Sequence, residues 1–178
     1  MSASLVHAIE SVAYRTPGAV ALSWHEAVWT YEGLSRAIDC VARTLLERSL
    51  PDASRVALLI RNSPQYAAAC YGTLAAGHVT VPLNVQERAN VLKRQIEHSG
   101  AQVLLADPAH AEFAALAASL ADADVSVVSL NMSDAADACE AFCASLSTEF
   151  MEARPALLPD RLACILYTSG TTGRPKGV

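Results

Sequence analysis

The sequence predicts a doubly wound α/β fold: a mostly parallel sheet with helices on both faces. Three observations point there. Short apolar runs alternate with longer segments of helical period along most of the chain, the pattern of repeated βαβ units. One run, Arg55-Val-Ala-Leu-Leu-Ile60, is continuously apolar rather than alternating, as a strand covered on both faces must be. The 178 residues are 52% hydrophobic, enough for one sizeable core, and much of that share is alanine, which favours helices over a β-sandwich.

Each element follows from local chemistry. Residues 4–15 place Leu5, Ala8, Ile9, Val12 and Ala13 at helical spacing, and Thr16-Pro-Gly18 stops the helix. Residues 19–24 and 27–30 read as a hairpin with His25 and Glu26 at its turn. Thr30 is positioned to cap a helix running to about Arg48, with Leu34, Ile38, Val41 and Leu45 on one face. Pro51-Asp-Ala-Ser54 is a turn before the strand 55–60. Asn62-Ser63 can cap the helix that Pro64 begins, and Gly77 ends it.

His78-Val-Thr-Val81 is a short strand stopped by Pro82. Residues 87–98 are helical with Val91, Leu92, Gln95 and Ile96 inward; Ser99-Gly100 closes them and 101–106 is the next strand. An alanine-rich helix over 109–121, a strand over 125–130 and a helix over 134–147 follow. Residues 149–160 carry two prolines and no period, so they read as loop. Leu162-Ala-Cys-Ile-Leu-Tyr167 is expected to be a buried final strand.

Composition excludes several functions. With 13 basic and 18 acidic residues the net charge is −5, and no Lys/Arg cluster offers a nucleic-acid surface. The five cysteines sit in apolar settings with no CxxC, which argues for core packing over a disulfide framework or zinc site. No basic start followed by a long apolar run suggests a leader, and no apolar stretch is long enough to span a bilayer. A cytoplasmic protein is expected.

The chemistry concentrates in Thr168-Ser-Gly-Thr-Thr-Gly-Arg-Pro-Lys-Gly-Val178. Gly170, Gly173 and Gly177 allow the backbone to approach a ligand, and successive N–H groups in such a turn can form an anion nest. Thr168, Ser169, Thr171 and Thr172 add hydroxyl donors, Lys176 a compact positive charge, and Pro175 stiffens the approach to it. This suits a polyphosphate. The P-loop does not fit, because that motif needs Gly-Lys followed by Ser or Thr, whereas Pro175 precedes and Gly177 follows Lys176.

Tyr167-Thr-Ser-Gly-Thr-Thr-Gly-Arg-Pro-Lys-Gly177 closely resembles the phosphate loop of the adenylate-forming (AMP-binding) superfamily: acyl-CoA synthetases, peptide-synthetase adenylation domains and beetle luciferase. Trp29-Thr-Tyr-Glu-Gly-Leu34 and Leu74-Ala-Ala-Gly-His-Val-Thr-Val-Pro-Leu-Asn84 are similar to two earlier landmarks, and 15–22 and 100–107 also fit in order. His78 replaces a usual small residue and Val85 a common proline. Pro82-Leu-Asn84 looks closer to acyl-CoA synthetases than to peptide-synthetase domains, which more often carry aspartate there.

The resemblance implies ATP-dependent activation of a small-molecule carboxylic acid as acyl-adenylate, then transfer to a thiol, with Mg²⁺ on the phosphates. The thiol is that of coenzyme A, or the pantetheine of an acyl or peptidyl carrier protein. Thr168, Ser169, Gly170, Thr171, Thr172, Gly173 and Lys176 would hold the β- and γ-phosphates. The resemblance places no catalytic residue and no metal ligand within the chain. Residues 1–178 are expected to be the N-terminal part of the large domain, with its remainder and a C-terminal lid domain further along, and to be inactive alone. Apolar surface that the remainder would cover is expected on the isolated piece. The alternatives are an adenylation domain loading a carrier protein and a non-catalytic nucleotide-binding or interaction module.

Overall fold

The computed structural model describes residues 5–146, 155, 161–168 and 176–178. Helix α1 (Leu5–Arg15) leads to the antiparallel hairpin β1 (Val20–Trp24) and β2 (Ala27–Thr30). Helix α2 (Tyr31–Leu46) starts where expected: the Thr30 hydroxyl accepts from the Gly33 N–H at 3.1 Å, satisfying one of the free donors of the first turn. The next cap is of the same kind. Ser63 accepts from the Tyr66 N–H at 3.2 Å and opens α3 (Pro64–Ala75), with Pro64 in the first turn.

Three crossovers build the sheet. Strand β3 (Arg55–Leu59) passes through α3 to β4 (Val79–Pro82), which passes through α4 (Ala89–Ser99) to β5 (Ala101–Ala106). Strand β5 then passes through α5 (Phe113–Ser119) to β6 (Ser126–Ser129), and α6 (Ala138–Ala144) follows. All pairings are parallel and the strand order is β4-β3-β5-β6. Side-chain alternation sorts the central strands onto two cores. Val56, Leu58, Ile60, Val103 and Leu105 pack under α2, α3 and α6, while Ala57, Leu59, Val81, Leu104 and Ala106 pack under α4 and α5. That is the doubly wound arrangement expected from the sequence.

The first core depends on close helix contact. A Cβ on Gly72 of α3 would lie 2.5 Å from the Val41 Cβ and 2.9 Å from the Ile38 carbonyl oxygen of α2, so only glycine lets these helices touch there. Gly77 ends α3 with φ at 79°, a left-handed turn that Cβ-bearing residues adopt at a cost. Trp29 from the hairpin is buried against Phe142 of α6, ring centroids 5.8 Å apart.

Several expectations are corrected. Helix α5 starts at Phe113 rather than 109 and α6 covers only Ala138–Ala144, because Asp107 and His110 fold the preceding residues into turns and Asn131 and Ser133 do the same before α6. The larger correction concerns 162–167. It is not a buried strand. Leu162 and Leu166 are 55% and 54% exposed, and the segment joins the sheet by one parallel bridge, Cys164 to Thr80. The loop expected over 149–160 lies, apart from Pro155, outside the described residues.

Candidate functional site

The two ends of the glycine-rich segment face each other. Strands β7 (Tyr167–Thr168) and β8 (Lys176–Gly177) pair antiparallel, setting Thr168 opposite Lys176 and Tyr167 opposite Gly177. Leu166 and Val178 extend the ladder, each donating its N–H to the other's carbonyl at 2.9 Å. The described residues on either side of the hydroxyl- and glycine-rich sequence therefore form one antiparallel stem. Of the predicted site residues, Thr168 is exposed on this stem and Lys176 is placed by its backbone. Ser169, Gly170, Thr171, Thr172 and Gly173 lie outside the described residues.

The stem has two anchors. Thr80 of β4 donates to the Ala163 carbonyl through both its N–H and its hydroxyl at 3.0 Å, and its carbonyl accepts from Ile165 at 2.9 Å. On the other side Tyr167 reaches α4. Its phenol donates to the Gln95 carbonyl at 3.1 Å, which leaves its oxygen to accept from His98 Nδ1 at 2.8 Å. Burial raises the phenol above its ordinary pKa, so it remains a donor. Sequence reasoning did not single out Tyr167 or His98 as partners, since 69 residues separate them.

In doubly wound sheets ligands bind past the carboxyl ends of strands, at the point where strand order reverses. Here that point lies between β3 and β5, because β4 and β5 flank β3. Arg61 and Asp107 leave those strands and close the crevice with the chain's own groups. The Arg61 Nε lies 3.9 Å from Asp107, and its Nη2 donates to Asp134 at 2.9 Å and to the Met132 carbonyl at 2.9 Å. Gln65, buried beneath, donates to the Ser133 carbonyl at 2.5 Å. The pair had one weak signal along the chain: each residue directly follows an apolar strand. Tyr167 meets α4 near Ser99, at the end that feeds the start of β5.

His78 is a packed side chain rather than an exposed base. It is 5% exposed and lines a cavity of about 420 Å³ with Leu46, Leu50, Asp52 and Arg161, and neither ring nitrogen has a hydrogen-bond partner among the described residues. Burial lowers its pKa, with Asp52 pulling the other way. Asn84, which hinted at subclass, acts locally. Its side-chain oxygen accepts from the Gln86 N–H at 3.0 Å, an Asx turn that aspartate would make equally well. Among the described residues no group of three or more His, Cys, Asp or Glu is placed to hold a metal ion, and no helix is long and apolar enough to cross a membrane.

Comparison with known proteins adds the family. The sequence profile described as AMP-binding enzyme matches residues 9–178. The phosphinothricin tripeptide synthetase PhsB of Streptomyces viridochromogenes is 35% identical over 98% of this chain, which spans 14% of that protein. A feruloyl-CoA synthase of an Amycolatopsis species is 34% identical over 91% of this chain, which spans 30% of it. In fold, the chain resembles the N-terminal subdomain of Klebsiella oxytoca NpsA, solved in complex with 3-hydroxybenzoyl-AMSN. That match has a TM-score of 0.77 at 23% identity, over 99% of this chain and 40% of that one.

Proposed function

Because the chain belongs to the AMP-binding enzyme family, we propose that it supplies the phosphate grip of an enzyme that activates a carboxylic acid with ATP and passes the acyl group to a thiol. The observation that supports this most is the β7–β8 pairing, which sets Thr168 against Lys176 at the two ends of the donor-rich segment. Thr168, Ser169, Thr171 and Thr172 offer hydroxyls, Gly170 and Gly173 carry no side chain to keep an anion from the backbone, and Lys176 brings the positive charge.

The first step joins two anions. A carboxylate oxygen attacks the α-phosphorus, the bond to the β-phosphate oxygen breaks, and pyrophosphate leaves. No protein nucleophile is needed; the rate comes from positioning and from donors aimed at the charge on the departing phosphates. That is the duty of residues 168–176 in this reading, and a glycine-rich loop suits a group that must first grip and then release pyrophosphate. Magnesium, when bound with the nucleotide, would neutralise charge between the phosphates.

The relatives support two thiol acceptors for this reading. The likeness to a tripeptide synthetase favours the pantetheine of a carrier protein, and the likeness to a feruloyl-CoA synthase favours coenzyme A. Asn84 does not decide between them, because its turn explains it. A cytoplasmic setting, where nucleotide and thiol meet, belongs to the same reading. The test is exchange of labelled pyrophosphate into ATP by the intact polypeptide carrying this chain, against a panel of carboxylic acids. Exchange that depends on one acid class is expected. ATP binding with no exchange for any acid would leave the passive nucleotide-binding module instead.

A further inference from the structure

Tyr167 stands between the two strands of the stem and the body of the protein. It directly precedes Thr168, and its cross-strand partner is Gly177. A Cβ on Gly177 would lie 3.5 Å from the Tyr167 Cζ and 3.1 Å from the Ile165 Cγ2, so the phenol ring crosses the strand through space that the glycine leaves open. The ring packs against the second core beside Ile165 and meets the His98 imidazole edge to face, with centroids 5.8 Å apart and planes at 71°. Its hydroxyl donates to the Gln95 carbonyl at 3.1 Å and accepts from His98 Nδ1 at 2.8 Å. One side chain therefore touches both strands of the stem and α4.

We propose that Tyr167 is a positioning residue for the phosphate loop: the bonds of its phenol to Gln95 and His98 set where the backbone of Thr168 and Lys176 stands when the outer phosphates arrive. On the phosphate-gripping function proposed above, from which this role follows, Tyr167 acts through its neighbours rather than on the nucleotide.

The backbone carries the effect. Thr168 follows Tyr167 and pairs with Lys176, which precedes Gly177. Strand alternation puts the Tyr167 and Thr168 side chains on opposite faces, so an anchored phenol holds one face of the stem while the exposed Thr168 is presented on the other. The ladder itself is short: two paired positions, extended by Leu166 and Val178. A ladder of that length does not fix its own distance from a helix, whereas a side chain bonded to the helix does. Donors to departing phosphates work by standing in place before the charge develops, and a misplacement of about 1 Å can cost about 10²-fold in rate.

The experiment compares wild type with Tyr167→Phe in the intact polypeptide carrying this chain. Phenylalanine keeps the ring over Gly177 and loses both hydrogen bonds. The readouts are MgATP binding by calorimetry, acid-dependent exchange of labelled pyrophosphate, and a denaturant melt. In Tyr167→Phe, MgATP should bind more weakly, its KM should rise, and kcat/KM for MgATP should fall by about 10–10²-fold, with the KM for the acid and the melt as in wild type. A merely structural role would lower the folded fraction and move neither KM. His98→Ala removes one of the two bonds from the exposed side of α4 and should raise the MgATP KM by less. Unchanged MgATP affinity and KM in Tyr167→Phe would overturn the proposal. A wild type that binds MgATP but exchanges pyrophosphate with no acid would overturn the function proposed above, while weaker MgATP binding by Tyr167→Phe would still support the positioning role.

Discussion

The central sheet and the stem of the glycine-rich loop are held by different means. Strand β3 has a partner on each side and a helical layer on each face, and Leu58 and Leu59 are fully buried. The stem has one sheet bridge, hydrogen bonds between the Tyr167 phenol and Gln95 and His98, partly buried packing by Ile165 and Tyr167, and leucines more than half exposed. The scaffold's cohesion comes from apolar area removed from water, which is non-directional and accumulates over many side chains. The stem's placement comes from a few directional hydrogen bonds beside the partial packing of Ile165 and Tyr167. On the proposed reading, a segment that binds and releases a polyanion gains from such a mounting, because few contacts hold it in one place.

That contrast can be broken from the scaffold side first. Leu58→Ala removes a fully buried side chain from the first core and should cost about 2–5 kcal/mol of stability, read by denaturant melts. A cost near zero would mean that this core is not what holds the sheet. Gly72→Ala should cost about 1–3 kcal/mol, because the new methyl meets Val41 and the Ile38 carbonyl and α2 and α3 must part. An unchanged melt would show that the two helices have slack where they touch.

A smaller effect is set by pH. His78 has a depressed pKa from burial, so the unfolded chain takes up a proton more readily than the native one. Its contribution to stability is present in full above the free value of about 6.5 and is lost as pH falls below it. Wild type should therefore lose more stability than His78→Leu between about pH 7.5 and pH 5.5. Parallel pH profiles for the two proteins would contradict this.

The sequence carried the scaffold well because its signals are local. The continuous run at 55–60 became the doubly covered β3, and Thr30 and Ser63 cap the helices that they precede. What it did not carry depends on distance along the chain. The Glu112 carboxylate accepts from the Ala89 N–H at 2.9 Å, so the start of α4 is capped from 23 residues away, where no pattern around Arg88 reveals it. The reach of Arg61 to Asp134 is equally non-local. The apolar run at 162–167 misled because hydrophobicity marks what can be buried, and only strand partners on both sides would bury it. In the candidate site the residue types were legible and the stem's partner on α4 was not.

The central claim is that residues 168–176 grip the outer phosphates while the sheet merely carries them. Thr171→Ala, Thr172→Ala and Lys176→Ala combined in the intact polypeptide test it most directly, by acid-dependent pyrophosphate exchange beside a denaturant melt. Exchange should fall by at least about 10²-fold, as when preorganised donors to a developing charge are removed, with the melt unchanged. Full exchange activity with unchanged ATP affinity would contradict the account.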